Sequence, residues 1–451
     1  MRTELDRRPL ALALAGLVIG LSAPVFLLNL LLGVLGMVLL RGVAPRLALA
    51  AGFCLGAILA PIPPHAVLVS TPVEGVYTVA SAPTPRAAGG SVFLADGSDV
   101  RLEVTSPDLA PVLGDEVSVT GQVRPLPQER ERTYLARGVS GVVSGSSTVV
   151  TVIRHSTGVA AWGAAWRESF IDYSRRRLSP SDSAVATALA FDVRTDLSPE
   201  ARTALEQSGT VHILAASGLH LLALAWFMEL LLSRLPIPLL VRRTFILGLL
   251  LVYSAASGFH PGTFRAMVTT ALRDGAVVIG REYDALSGVS AAGVMYLLWR
   301  PNMVYDAGFQ LSMVLGAGIA LFRSRSVGVA PFPRLLRGSV VAWFVSIPIV
   351  AHIFGIVSLV SIPANLMATA LLPICLLGLL ASHVASFVSV SASDILLVPA
   401  TLAAHGLEAV VSGFGTFRWW GFALPAFSGY WLVAIYGAAL ALWRPKARPV
   451  T

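Results

Sequence analysis

Two patterns of hydrophobic and polar positions divide this chain. From Val211 onward, long apolar runs are separated by short Arg-bearing loops, whereas from Pro63 to His155 short Val-rich stretches alternate apolar with polar residues. The first pattern predicts membrane-crossing helices and the second predicts strands. The apolar runs fall near residues 211–232, 244–258, 263–280, 285–299, 304–322, 340–360, 364–388, 395–413 and 421–443. Upstream, Leu10 to Leu40 is apolar around Pro24 and reads as two short helices, with a third from Leu47 to Pro61. The expected fold class is therefore a polytopic α-helical membrane protein of about 12 crossings, some broken or re-entrant, carrying an inserted small all-β, OB-like domain.

Within the β region, SVFLADGSDVRLEV alternates on both sides of Asp96–Gly97, the pattern of a hairpin. GDEVSVTGQV and GVVSGSSTVVTVI add further short strands, enough for a small barrel or sandwich. After it, Trp162, Trp166 and Phe170 recur at helical spacing ahead of Arg175, Arg176 and Arg177. That spacing predicts an amphipathic helix with its aromatic face in lipid or packed on the β module. Ser198–Pro199–Glu200 marks a helix start. The expected domains are N-terminal membrane helices (1–62), an external β domain (63–155), amphipathic or interfacial helices (156–210) and a transmembrane domain (211–451).

Charge sets the orientation. Arg2, Arg7 and Arg8, Arg41 and Arg46, then Arg234, Arg242, Arg243, Arg281, Arg323, Arg325, Arg334, Arg337, Arg444, Lys446 and Arg448 all fall in loops that alternate crossings place on one side, with Arg300 and Arg418 as exceptions. The positive-inside tendency puts both termini in the cytoplasm and the β domain outside. Composition agrees: 55% of residues are hydrophobic, 13% are charged and the mean hydropathy is +0.74. The net charge of +8 is carried by Arg, Lys446 being the sole lysine, and suits either cytoplasmic loops or an anionic partner. Cys54 and Cys375 lie in apolar runs, which argues against a disulfide framework or a thiolate metal site. The β module offers seven Arg against nine acidic residues, with Tyr77, Phe93 and Tyr134 as its aromatics. A structural or gating role suits it at least as well as strand binding.

Four stretches place polar groups at membrane depth, where they are costly enough to suggest function. HILAASGLH supplies His212, Ser217, Gly218 and His220; on one regular helix the two His would share a broad face, and Ser217 would adjoin His220. SGFHPGTFRAMVTTALRD contains Gly258, Pro261 and Gly262, which predict a helix break, and Arg265, whose planar fork suits phosphate oxygens. YDAGFQLSM supplies Gln310 and Ser312, suited to interhelical hydrogen bonds. IPANLMATALLP places Asn365 between Pro363 and Pro373, the pattern of a broken helix whose freed carbonyls Asn365 would satisfy.

HILAASGLH at 212–220, SGFHPGTFRA at 257–266, GREYDALS at 280–287, PNMVYDAGFQLS at 301–312 and FGIVSLVSIPANL at 354–366 resemble the ComEC family of competence proteins, inner-membrane DNA-uptake channels. GDEVSVTG at 114–121 and TYLARGV at 133–139 resemble that family's external OB-type module. The resemblance implies passage of single-stranded DNA across the cytoplasmic membrane in natural transformation, with an external DNA receptor and a cytoplasmic helicase-like motor as partners beside the lipid bilayer. The pathway candidates are His212, Ser217, Gly218, His220, Arg265, Gln310 and Asn365. Many family members also carry a metallo-β-lactamase-like domain. No H-x-H-x-D-H run occurs here and no G-x-x-x-x-G-K-[ST] run either, so the expectation is a channel rather than an enzyme. No cofactor or metal is expected, and degradation of the excluded strand would fall to another polypeptide or to a missing segment. The alternatives are an intramembrane hydrolase using Ser217 with His220, or a small-molecule transporter.

Overall fold

A computed structural model describes residues 13–15, most of 70–415, and 421–423. The expected helices at 10–40 and 47–61, and all but the first residues of 421–443, lie outside the described residues. The chain divides into two compact units, one of residues 63–281 with 360–420 and the other drawn from 1–62, 282–359 and 421–451.

In the first unit the β region is a closed barrel. Its strands are β1 (Thr71–Val79), β2 (Thr84–Pro85), β3 (Ser91–Asp96), β4 (Arg101–Ser106), β5 (Glu116–Arg124), β6 (Gly141–Val143) and β7 (Val149–Arg154). The ring runs β1-β3-β4-β6-β5 and closes through β5 on β1; β2 pairs β3 and β7 adds to β5. β4 and β6 are parallel and the other pairings antiparallel. A five-strand ring with one parallel pair is the Greek-key barrel of OB-type modules. β3 and β4 form the expected hairpin, Asp96 opposite Arg101. Alternate residues turn inward and fill the barrel with Phe93, Leu102, Val104, Val117, Val119 and Val143. Asp115 ties the barrel to its exit: buried, it accepts Val112 N–H at 2.8 Å and Ser156 N–H at 2.6 Å.

The helices of this unit are α1 (Val159–Arg177), α2 (Pro180–Phe191), α3 (Pro199–Ser208), α4 (Val211–Leu214), α5 (Gly218–Leu232), α6 (Leu239–Ala256) and α7 (Pro261–Val278). In the second unit α8 (Ala285–Trp299), a 3₁₀ turn (Pro301–Tyr305), α9 (Ala307–Phe322) and α10 (Pro331–Phe354) follow, with β8 (Ile356–Ser358) pairing β9 (Gly421–Ala423). α11 (Ser361–Ser386) and α12 (Val390–Gly415) return to the first unit as an antiparallel hairpin. α3 starts where the sequence indicates, Ser198 Oγ accepting Ala201 N–H. The protein is thus mostly helical, and among the described residues α6, α11 and α12 are long and apolar enough to cross a membrane.

Four expectations are corrected. The run 211–232 is not one continuous helix, because Ser217, ahead of α5, has extended backbone angles. Segment 340–360 is helical only to Phe354 and then becomes β8, since Ile356–Ser358 finds a strand partner at 421–423. Pro363 does not break a helix: it sits in the first turn of α11, where a missing N–H leaves no intrahelical bond unmade. The aromatic face of α1 is not given over to lipid. Phe170 is fully buried, and Trp166 meets Phe191 and Tyr253 edge to face at 5.9 and 5.7 Å, leaving Trp162 exposed. That packing requires close backbone approach, which Gly163 allows against Ala255 and Ala256 of α6. Farther along the same face of α1, Tyr173 OH lies 2.6 Å from Ser382 Oγ and 2.9 Å from Ser393 Oγ, joining α1 to the α11–α12 hairpin.

Candidate functional site

Three helix boundaries meet at one end of the α5–α6–α7 bundle. The first is the α4–α5 break. Ser217 has extended backbone angles (φ −118°, ψ 171°) and caps α5. Helix starts leave N–H groups without carbonyl partners, and His220, one turn on, answers: its Nδ1 accepts Ser217 N–H at 3.2 Å and lies 2.8 Å from Ser217 Oγ. A backbone N–H can only donate, so Nδ1 is the unprotonated nitrogen and the neutral ring carries its proton on Nε2. His220 is fully buried beside the Leu189 backbone, and Nε2 makes no hydrogen bond of normal geometry among the described residues.

The second boundary joins α6 to α7. Gly258 N–H bonds to Ala255 O and Phe259 N–H to Ser254 O, the paired bonds of a Schellman ending, with Gly258 at φ +78°. Pro261 then opens α7 with a φ already suited to a helix. The expected break at Gly258 and Pro261 is therefore present, and Gly262 falls within the first turn of α7. The third boundary follows α2, where Asp192 adopts left-handed angles (φ 61°). Its carboxylate pairs with His260 Nε2 at 3.2 Å and with Arg194 Nε. Asp192 and Phe259 are the two non-glycine residues with positive φ among the described residues. Both lie at this pole, where backbone strain is a pointer to function.

Arg265 closes the cluster. A Cβ on Gly218 would stand 3.3 Å from Arg265 Nη2, 3.4 Å from Ala266 Cβ and 3.4 Å from Gly262 O. There is room at 218 for no more than a methyl, so only a larger side chain would push back the guanidinium and the head of α7. The pole as a whole gathers Ser217, His220, His260, Arg265, Asp192 and Arg194 at the edge of an apolar core. Among the described residues the pole carries the guanidinium groups of Arg194 and Arg265, a side chain whose planar fork suits phosphate oxygens.

The structure brings Ser217, Gly218, His220 and Arg265 together. It places the two histidines on different helices; His212 lies on α4, its side chain outside the described residues. Asn365 sits in the second turn of α11, with Oδ1 buried and without a partner among the described residues. Gln310 belongs to the other unit and bonds Val304 O at 3.0 Å, closing the local turn rather than bridging helices. Asp192, Arg194 and His260 are members that sequence reasoning missed. His260 lay inside a quoted motif, whereas only the αL cap of α2 recruits Asp192.

Comparison with known proteins completes the description. Over 212 residues the chain is 26% identical to "ComE operon protein 3" of Bacillus subtilis (strain 168), a stretch that makes up 47% of this chain and 27% of that protein. No solved structure matches. A family model described as "Competence protein" matches residues 189–449, which takes in the end of α2, the whole pole and more than half of the sequence, and the chain belongs to that family.

Proposed function

We propose that this chain is a multi-pass channel of the cytoplasmic membrane that conducts single-stranded DNA inward during natural transformation. The polar pole of α2, α5, α6 and α7 would form part of its path. Family membership supports DNA uptake, and the observation that carries the finer reading is Arg265 drawn against the glycine backbone of a helix interrupted at Ser217. A strand bears one negative charge per nucleotide, and a low-dielectric path must offset it with Arg, helix N-termini or water. The pole supplies Arg265 and Arg194 beside the N-termini of α5 and α7. The barrel domain stands outside and both termini inside. The path works with an external DNA receptor and a cytoplasmic helicase-like motor, and a separate nuclease degrades the other strand. The chain itself acts as a channel, not as an ATPase or nuclease.

Deleting the gene is expected to abolish entry of labelled DNA into the cytoplasm while leaving surface-bound DNA in place. Arg265→Ala should lower uptake on the order of tenfold, the loss of one charged phosphate contact, and Arg265→Lys should recover part of it. Normal transformation in the deletion strain would sink the reading.

One observation favours a second reading, an intramembrane hydrolase: Ser217 Oγ lies 2.8 Å from His220 Nδ1, within reach for a base. Against it, Nδ1 is shared with a backbone N–H, and Nε2 meets no carboxylate that would hold a protonated ring. Labelling of Ser217 by a fluorophosphonate probe, abolished in Ser217→Ala together with uptake, would establish the hydrolase instead.

A further inference from the structure

The opposite end of the same bundle carries a second charged cluster. Glu229 of α5 pairs with Arg242 of α6 at 3.0 Å, and Asp274 of α7 takes Arg243 at 2.6 Å and Arg273 at 3.3 Å. Two carboxylates therefore face three guanidinium groups, which do not lose their protons. An excess positive charge remains. The hydrogen bonding is unfinished as well: Nε of Arg242, Nε of Arg243 and Oε2 of Glu229 are buried without partners among the described residues. Yet the side chains of Arg242, Arg243 and Arg273 keep 17%, 23% and 47% of their surface exposed, so their outer nitrogens can meet a ligand.

The surroundings of this cluster decide what kind of ligand. Leu235, Leu240, Val241, Phe245, Val278 and Ile279 are all exposed at this end of the bundle. In water so many large apolar side chains around a basic patch would be unfavourable, whereas acyl chains below a charged headgroup match them. We propose that Arg242, Arg243 and Arg273 hold the phosphodiester headgroup of an anionic phospholipid, with its acyl chains along the exposed apolar faces of α6 and α7. The forked guanidinium matches phosphate oxygens two at a time. A zwitterionic choline lipid would return a cation to a site that already has one too many. The inference rests on the reading that α5, α6 and α7 lie in a bilayer.

The test uses the full chain purified in detergent and titrated with phosphatidylglycerol or phosphatidylcholine, with bound lipid counted by native mass spectrometry. Phosphatidylglycerol should bind at concentrations about fivefold lower, roughly the effect of one cation near an anionic headgroup. Arg243→Gln and the more exposed Arg273→Gln should each erase most of that preference, while Arg243→Lys should keep part of it. Equal binding of the two lipids by an integral chain, or a preference unchanged in both Gln variants, overturns the inference alone. Recovery of the chain in the soluble fraction without detergent overturns the bilayer reading and the inference with it. Displacement of phosphatidylglycerol by equimolar inorganic phosphate, or by a single-stranded oligonucleotide, assigns the cluster to a soluble anion or to DNA and overturns the lipid.

Discussion

Ser217 and His220 form a closed local circuit, and the circuit fixes what each can contribute. Ser217 stops the helix, its N–H and Oγ both turn to His220 Nδ1, and the imidazole is thereby held in one tautomer at the base of the pole. Ser217→Ala removes the hydroxyl and leaves the N–H bond, so the expected cost is about 1 kcal/mol in thermal unfolding and uptake within about twofold of the parent. His220→Leu is a different matter, since it strands both Ser217 groups in a buried site. It should cost about 2–4 kcal/mol, whereas His220→Asn, which restores an acceptor near the Nδ1 position, should cost less. Equal melting temperatures for the Leu and Asn variants would show that the polar contact is immaterial. Gly218 gives a steric counterpart. Ala at 218 meets only contacts of 3.3–3.4 Å and should be tolerated, while Leu must displace Arg265 and should abolish uptake in a protein that still folds.

Between elements, the α1–α6 seam leaves no room for a single methyl. A Cβ at Gly163 would lie 2.5 Å from Ala256 N and 2.8 Å from Ala255 C, both backbone atoms that cannot swing aside. Gly163→Ala should therefore push α1 off α6 and cost about 1–3 kcal/mol, read as a lowered melting temperature. Nothing in the local sequence separates Gly163 from the exposed glycines elsewhere, because the constraint comes from a helix some ninety residues away. The same physics sorts the rest of the reading. The barrel was legible because period-two alternation and the turn at Asp96–Gly97 are local, and the α6–α7 reversal because Gly258 and Pro261 punctuate the backbone wherever they fall. The α4–α5 break was not, since Ala, Ser and Gly fit a helix interior well enough and only the capping bond to His220 shows the preference. Pro363 misled for the converse reason: a proline signals either a kink or a start, and flanking sequence alone left that choice open.

For the whole molecule, the two charged ends of the α5–α7 bundle give the orientation a geometric basis. α5, α6 and α7 reverse through short turns, so the C-terminal end of α5, the N-terminal end of α6 and the C-terminal end of α7 share one side. The ion pairs Glu229–Arg242 and Arg243–Asp274 confirm that meeting. Arg234, Arg242, Arg243 and Arg281 all belong to that side, and on the proposed channel reading the positive-inside tendency would place it at the cytoplasmic face. The barrel leads by β7 into α1, and Gly163, in the second turn of α1, abuts Ala255 and Ala256 at the other end of α6. Barrel exit and polar pole therefore lie at the same end of α6, opposite the arginines. With 18 residues, α6 is about 27 Å long at 1.5 Å per residue, close to the roughly 30 Å hydrocarbon core it would separate them across. Single cysteines placed in a Cys54→Ser, Cys375→Ala background turn this into a measurement. Val149→Cys, on an exposed barrel position, should react with a membrane-impermeant maleimide in spheroplasts, and Ser233→Cys, beside the arginines, should react only after permeabilisation. Labelling of both before permeabilisation would remove the bilayer from between them. The reverse pattern would turn the protein over, putting the pole at the cytoplasmic face and making it an exit for DNA rather than an entrance.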